Sequence, residues 1–196
     1  MKTSLRFLSA ILAVGFFGTA QAQIVTTGKI NFTGNIRHVT CSLTSDSVNQ
    51  TIAFGYVSPA AFGTPTVVGS TVGEKPFAIK IEGCTLGAVP GGSGAQYPTQ
   101  ALVRFYGSNV NTTSGNLNLT GPGTPASGVQ IRLKNSSRVA MALQNATAQA
   151  QSSTVITLLG SPSVNTLDFF AEYIATSATV TGGGAGSTVD FEMVYP

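Results

Sequence analysis

Residues 187–196 read "STVDFEMVYP". From Val189 the large apolar residues fall on every second position: Val189, Phe191, Met193, Tyr195. Asp190 and Glu192 stand between them. Alternation with a period of two marks a strand with one buried face. The chain is therefore expected to end in a strand. Its apolar row needs a sheet behind it, and its edges need partners.

Runs of the same kind recur upstream, separated by Gly, Pro, Asn and Ser clusters: "GKINFTGNI", "QTIAFGYV", "PFAIKIEGCTL", "TQALVRFYGS", "GVQIRLKN", "STVITLLG" and "TLDFFAEYIAT". In "PFAIKIEGCTL" Phe77, Ile79 and Ile81 share one face, opposite Ala78, Lys80 and Glu82. In "GVQIRLKN" Val129, Ile131 and Leu133 alternate with Gln130, Arg132 and Lys134. No segment sustains a helical period; "SPAAFGTP" has room for one helical turn, and "ALQNATAQAQSS" reads either way. Seven to nine short strands with turn signals between them predict an all-β fold, a β-sandwich of immunoglobulin type. Trp is absent, so the buried Trp of antibody domains has no counterpart.

The first 22 residues read as a secretory signal: Lys2 and Arg6, the apolar run "LSAILAVGFFG", then "AQA" at a cleavage position. The mature chain is expected to start at Gln23. An uncleaved anchor is the other reading, against which stand the shortness of the apolar run and the small-residue site behind it. Losing Lys2 and Arg6 takes ten basic residues to eight against seven acidic ones, so the mature charge is +1. Only 9% of residues are charged, and no Lys/Arg cluster suggests nucleic acid.

Cys41 and Cys84 both follow the signal and meet an oxidising compartment, so a structural disulfide is expected. Their spacing is wrong for a redox CxxC pair, and His38, the only histidine, is too little for an ordinary zinc site. No metal or cofactor is expected. An enzyme is not expected either. His38 reads as a surface or rim residue, and Asp168, Glu172, Asp190 and Glu192 read as solvated charges on outer strand faces. The Gly-rich stretches lack the strand–turn–helix setting and the Lys of a phosphate loop.

The mature N-terminus, "QIVTTGKINFTGNIRHVTC", also alternates. Ile24, Thr26, Gly28, Ile30 and Phe32 make an apolar or small face; Val25, Thr27, Lys29, Asn31 and Thr33 make the other. On the residues alone this is either the first strand of the domain or a strand offered elsewhere.

Five stretches in order carry a more specific signal: "GKINFTGNIRHVTCSL", "FAIKIEGCTL", "GVQIRLKNSSRVAMAL", "LDFFAEYIAT", and an ending with Tyr195 next to last behind a cluster at residues 182–184. Together they resemble the pilin subunits of bacterial chaperone–usher fimbriae, most closely type 1 major pilins, over nearly the whole mature chain. Pro196 departs from the pattern: it brings no N–H to the last contact.

The resemblance implies an incomplete immunoglobulin-like sandwich lacking its seventh strand, completed by a donor strand from a neighbouring subunit. It divides the chain into a signal (1–22), an N-terminal extension (23–34) and a pilin domain (35–196). Ile24, Thr26, Gly28, Ile30 and Phe32 would form the donor strand. Val189, Phe191, Met193 and Tyr195 would line the groove that receives it, and that a periplasmic chaperone occupies first. The implied partners are neighbouring pilin subunits in a homopolymer, the chaperone and an outer-membrane usher. The implied place is an adhesive fimbria on the bacterial surface, reached through the periplasm. The alternative is a minor pilin or adhesin-type subunit contacting a host receptor, for which the loops "GAVPGGSGAQYP" and "NTTSGNLNLTGPGTPASG" offer surface.

Overall fold

The structure, a computed structural model, describes residues 41–92 and 94–196. The donor residues Ile24, Thr26, Gly28, Ile30 and Phe32, His38 and the signal lie outside the described residues. Seven strands occur among the described residues: β1 (Ser42–Leu43), β2 (Thr71–Glu82), β3 (Gln100–Tyr106), β4 (Val129–Lys134), β5 (Ile156–Thr157), β6 (Asn165–Ala175) and β7 (Asp190–Val194). The two-residue alternation of β4 and β6 becomes two-residue burial. Val129, Ile131 and Leu133 face the core, as do Leu167, Phe169, Ala171, Tyr173 and Ala175.

Two antiparallel sheets form, in the orders β1-β2-β6-β4 and β5-β3-β7. An immunoglobulin sandwich has strands A, B, E and D on one sheet and C, F and G on the other. Here β1, β2, β6 and β4 occupy A, B, E and D, while β3 and β7 occupy C and F. No strand among the described residues fills G, beyond β7. The fold is an incomplete immunoglobulin-like sandwich.

The core between the sheets is aromatic at its centre. The Phe105 ring meets Phe169 edge-on at 5.1 Å, Phe77 stacks on Phe169 at 5.4 Å, and Phe191 lies 6.4 Å from Phe105. Cys41 and Cys84 are joined by a disulfide, both sulfurs buried, so the start of β1 is tied to the end of β2.

Three expectations need correction. Residues 50–57 form no strand. Gly55 takes φ +74°, outside the extended region, and breaks the run; Phe54 and Val57 still pack on the core, Phe54 against Tyr173 at 4.4 Å. "STVITLLG" pairs over only Ile156–Thr157. The third concerns Glu172, which is not solvated. It sits on the outer face of β6 and is only 3% exposed, beneath Arg132 and Lys134 of the neighbouring β4. Arg132 donates to Oε1 through Nε (2.9 Å) and Nη2 (2.5 Å); Lys134 Nζ lies 3.0 Å from Oε2. Asp168, Asp190 and Glu192 are exposed, as expected.

Lys134 also binds Glu74 of β2 at 2.7 Å, and Arg138 reaches Glu74 at 3.3 Å. The hydrogen bond from Lys134 holds the Glu74 carboxyl below its ordinary value of 4.5. For Lys134 itself burial pulls the pKa down, but the bonds to Glu74 and Glu172 outweigh it and leave it above the ordinary 10.5. A depressed carboxylate stabilises fully above its ordinary value and loses that contribution as pH falls through the folded value; a raised ammonium does so below its own and loses it as pH rises through the folded value. The stability advantage of wild type over Glu74→Gln is thus expected to be constant from about pH 5 to 10 and to shrink below pH 4.5. Urea midpoints of both proteins across that range measure it, and an advantage that grows on acidification would contradict the assignment.

Candidate functional site

Sheet edges are where a β-protein accepts further strands, because each carries a row of unpaired N–H and C=O groups. The edges of this sandwich differ in how they are closed. Beyond β4, Leu117 exchanges backbone hydrogen bonds with Ile131 (2.7 and 3.0 Å), and Met141 N donates to Leu133 O (2.9 Å). The edge of β2 is covered first by β1. After it come the Thr44 N bond to Lys80 O (3.0 Å), the Ser47 hydroxyl accepting from Lys80 N (2.9 Å), and the Gln50 amide donating to Ala78 O (2.7 Å). Pro76 follows, without an N–H to satisfy.

The outer edge of β3 is closed by side chains. β5 pairs with Gln100 and Ala101, and the Ser153 hydroxyl accepts from Val103 N at 3.1 Å. Gln151 then takes the place of a strand. Its Oε1 accepts from Phe105 N at 2.9 Å, and its Nε2 donates to Phe105 O (2.7 Å), Leu143 O (3.0 Å) and Asn145 O (2.9 Å). Gln151 is fully buried, at 0% exposure. Sequence reading missed it: "TAQAQSS" has no periodicity, and nothing in it distinguishes Gln151 from Gln149. Gln151→Ala leaves two buried backbone groups of Phe105 unpartnered. At about 1–3 kcal/mol for each group left so, a loss of roughly 2–6 kcal/mol is expected in urea unfolding. A loss under about 1 kcal/mol would mean that water replaces the amide.

β7 is different. Its only ladder among the described residues is with β3, in the register Leu102↔Val194, Val103↔Met193, Arg104↔Glu192, Phe105↔Phe191 and Tyr106↔Asp190. Phe191 and Met193 thus lie opposite the core residues Phe105 and Val103, and Val189, Phe191, Met193 and Tyr195 all pack against the core. On the outer face Arg104 donates to Glu192 at 2.8 Å, an exposed pair worth little. Burial grades across the sheet: Ala101 and Val103 are 0% exposed and Phe105 2%, whereas the β7 row is only half-buried. Burial raises the Tyr195 phenol above its ordinary 10.0. Among the described residues β7 is thus the last strand of its sheet, with a half-buried apolar row. Phe54 and Val57, half-buried on the same core, were read from the sequence as strand residues and not as part of any site.

Among the described residues no group of three or more His, Cys, Asp or Glu is placed to hold a metal ion, and no helix is long and apolar enough to cross a membrane.

Comparison with known proteins bears on this geometry. A family model described as "Fimbrial protein" matches residues 30–196. The F17 fimbrial protein of Escherichia coli is 34% identical over 193 residues, covering 97% of this chain and 98% of that protein. Among solved structures, the P pilus rod subunit PapA aligns with a TM-score of 0.59 at 23% identity, covering 81% of this chain and all of that one. A subunit of a chaperone–usher pilus aligns with a TM-score of 0.58 at 24% identity, covering 90% of this chain and all of that one. The last two likenesses are of fold.

Proposed function

Because the chain belongs to the fimbrial protein family, whose members are structural subunits of surface pili and not enzymes, we propose that it polymerises by donor-strand exchange. In this reading residues 24–32 of one copy occupy the G position beside β7 of the next. The observation that carries the proposal is the contrast between edges. Three are closed by loops or side chains, and the fourth, β7, has a half-buried apolar row and, among the described residues, no partner beyond β3.

Strand addition is the physical chemistry such an edge invites, and chaperone–pilin donor-strand complementation is itself a recognised instance of it. Main-chain hydrogen bonds satisfy the edge, while alternate side chains fill the groove. Ile30 and Phe32 are the main anchors of the proposed donor, each worth about 1.5–3 kcal/mol when buried. Gly28 takes the shallow position. Before assembly the same groove, an aggregation template if left bare, is held by a periplasmic chaperone, which passes the subunit to an outer-membrane usher. The extension 23–34 and the domain 35–196 are then the two halves of one joint.

A photo-reactive residue at position 30, activated in assembled fibres, tests the joint. Adducts are expected on residues 189–195 of a different subunit. Adducts confined to the same chain, or to other surfaces, would contradict it.

A further inference from the structure

The two ends of the sandwich are chemically distinct, and both carry exposed apolar side chains. One is the disulfide end. There Ser161 N binds Cys84 O (3.0 Å), Leu158 N binds Thr99 O (2.8 Å), and the Asn165 side chain bonds Leu159 N and O (2.6 and 2.9 Å). Leu86, Leu159 and Val164 gather around these bonds, 37%, 58% and 47% exposed. They are neighbours: a Cβ on Gly160 would sit 3.5 Å from Leu86, and Asn165, next to Val164, holds Leu159. At the opposite end Gly69 N binds Ala175 O (2.8 Å), and there Val67 and Val68 are 64% and 59% exposed.

Chain direction says how these ends meet in a polymer. β1 pairs Ser42 with Glu82 and Leu43 with Ile81, antiparallel to β2, so the chain enters the domain at the disulfide end. β7 runs the other way along the molecule, from Asp190 opposite Tyr106 to Val194 opposite Leu102, and so finishes at the disulfide end. A strand in the G position of an immunoglobulin sheet runs antiparallel to F. The donor therefore leaves its acceptor at the far end, beside Val67 and Val68, and continues into its own domain, which it enters at the disulfide end. Eight residues, 33–40, join the donor strand to Cys41. Fully extended they span at most about 29 Å. So short a tether holds the facing ends at a high effective concentration, where even a small apolar contact is populated.

We infer that the patch of Leu86, Leu159 and Val164 on each subunit docks on Val67 and Val68 of its acceptor, a head-to-tail contact between copies of this chain in addition to the donor strand. The inference rests on the donor-strand reading and fixes the polarity of that reading.

Full-length subunits carrying Leu159→Cys and Val67→Cys together, and each alone, test it in assembled fibres. Cys41 and Cys84 are bonded to each other, so the added thiols are the free ones. A short bismaleimide should convert the double variant into a ladder of dimers, trimers and longer species on denaturing gels, and leave both single variants monomeric. Val164→Cys with Val68→Cys should repeat the result. Donor-dependent fibres whose double variants remain monomeric would overturn the inference and leave donor-strand exchange standing. Dimers from Leu159→Cys alone would also overturn it, because like ends would then meet. Fibres that still form when Phe32 is replaced by Asp would instead remove the donor-strand reading, and this inference with it.

Discussion

A subunit carrying Phe32→Asp is expected to fold and to reach its chaperone but to build no fibres. The domain keeps its own groove, so everything that depends on acceptance is intact. Donation fails for two reasons that add. The Phe anchor, worth about 1.5–3 kcal/mol, is lost. An ionised carboxylate taken from water into an apolar groove without a partner costs several kcal/mol more. A joint repeated at every subunit multiplies the defect, so fibre mass on the cell surface should fall to background. Ile30→Asp should do the same. Thr27→Asp, on the opposite face of the same strand, is the control and should leave assembly near normal. Electron microscopy and heat-released surface protein read out all three. Normal fibres from Phe32→Asp would refute the donor assignment.

The second large effect lies in the disulfide. Replacing Cys41 and Cys84 by Ser removes a cross-link between residues 43 positions apart. Chain-entropy reasoning values a loop of that size at about 4 kcal/mol, a large share of the roughly 5–15 kcal/mol that holds a domain together. At about 2–4 °C per kcal/mol for a domain of this size, Tm should fall by roughly 8–16 °C, and the periplasmic level of the subunit with it. The bond also anchors β1, which is only two residues long, and through it the point where the extension joins the domain. Unchanged Tm would show that β1 and the turn after it hold that corner unaided.

Much of this architecture was legible in the sequence because local pattern and tertiary role coincide. β4, β6 and β7 each have one apolar face and one core, so period-two alternation translated directly into burial. The half-buried apolar row 189–195, proposed to line the groove, follows the same signal, since a half-covered strand and a fully covered one alternate alike. What the sequence concealed depends on neighbours. Glu172 looks like any outward carboxylate; only the register that sets Arg132 opposite it, with Lys134 beside it, buries it. Gln151 lies in a polar stretch without period, and its role as a substitute strand comes from the loop that carries it to Phe105. Residues 50–57 alternate well enough to suggest a strand, but Gly55 takes a left-handed φ of +74° in their midst and no strand forms there. The proposed donor lies outside the described residues, so its assignment rests on its own alternation and on a position beside β7 that no described strand fills.

Thermal unfolding compares the two halves of the joint most directly. One protein runs from residue 34 to Pro196; the other is the same chain with residues 23–34 appended after Pro196 through a short flexible linker. Burial of Ile30 and Phe32 alone, at about 3–6 kcal/mol together, predicts that the appended strand raises Tm by roughly 6–24 °C and yields a monomer where the shorter protein self-associates. Two proteins that melt together, both monomeric, would mean that the sandwich is complete without a donor, and would contradict the account at its centre.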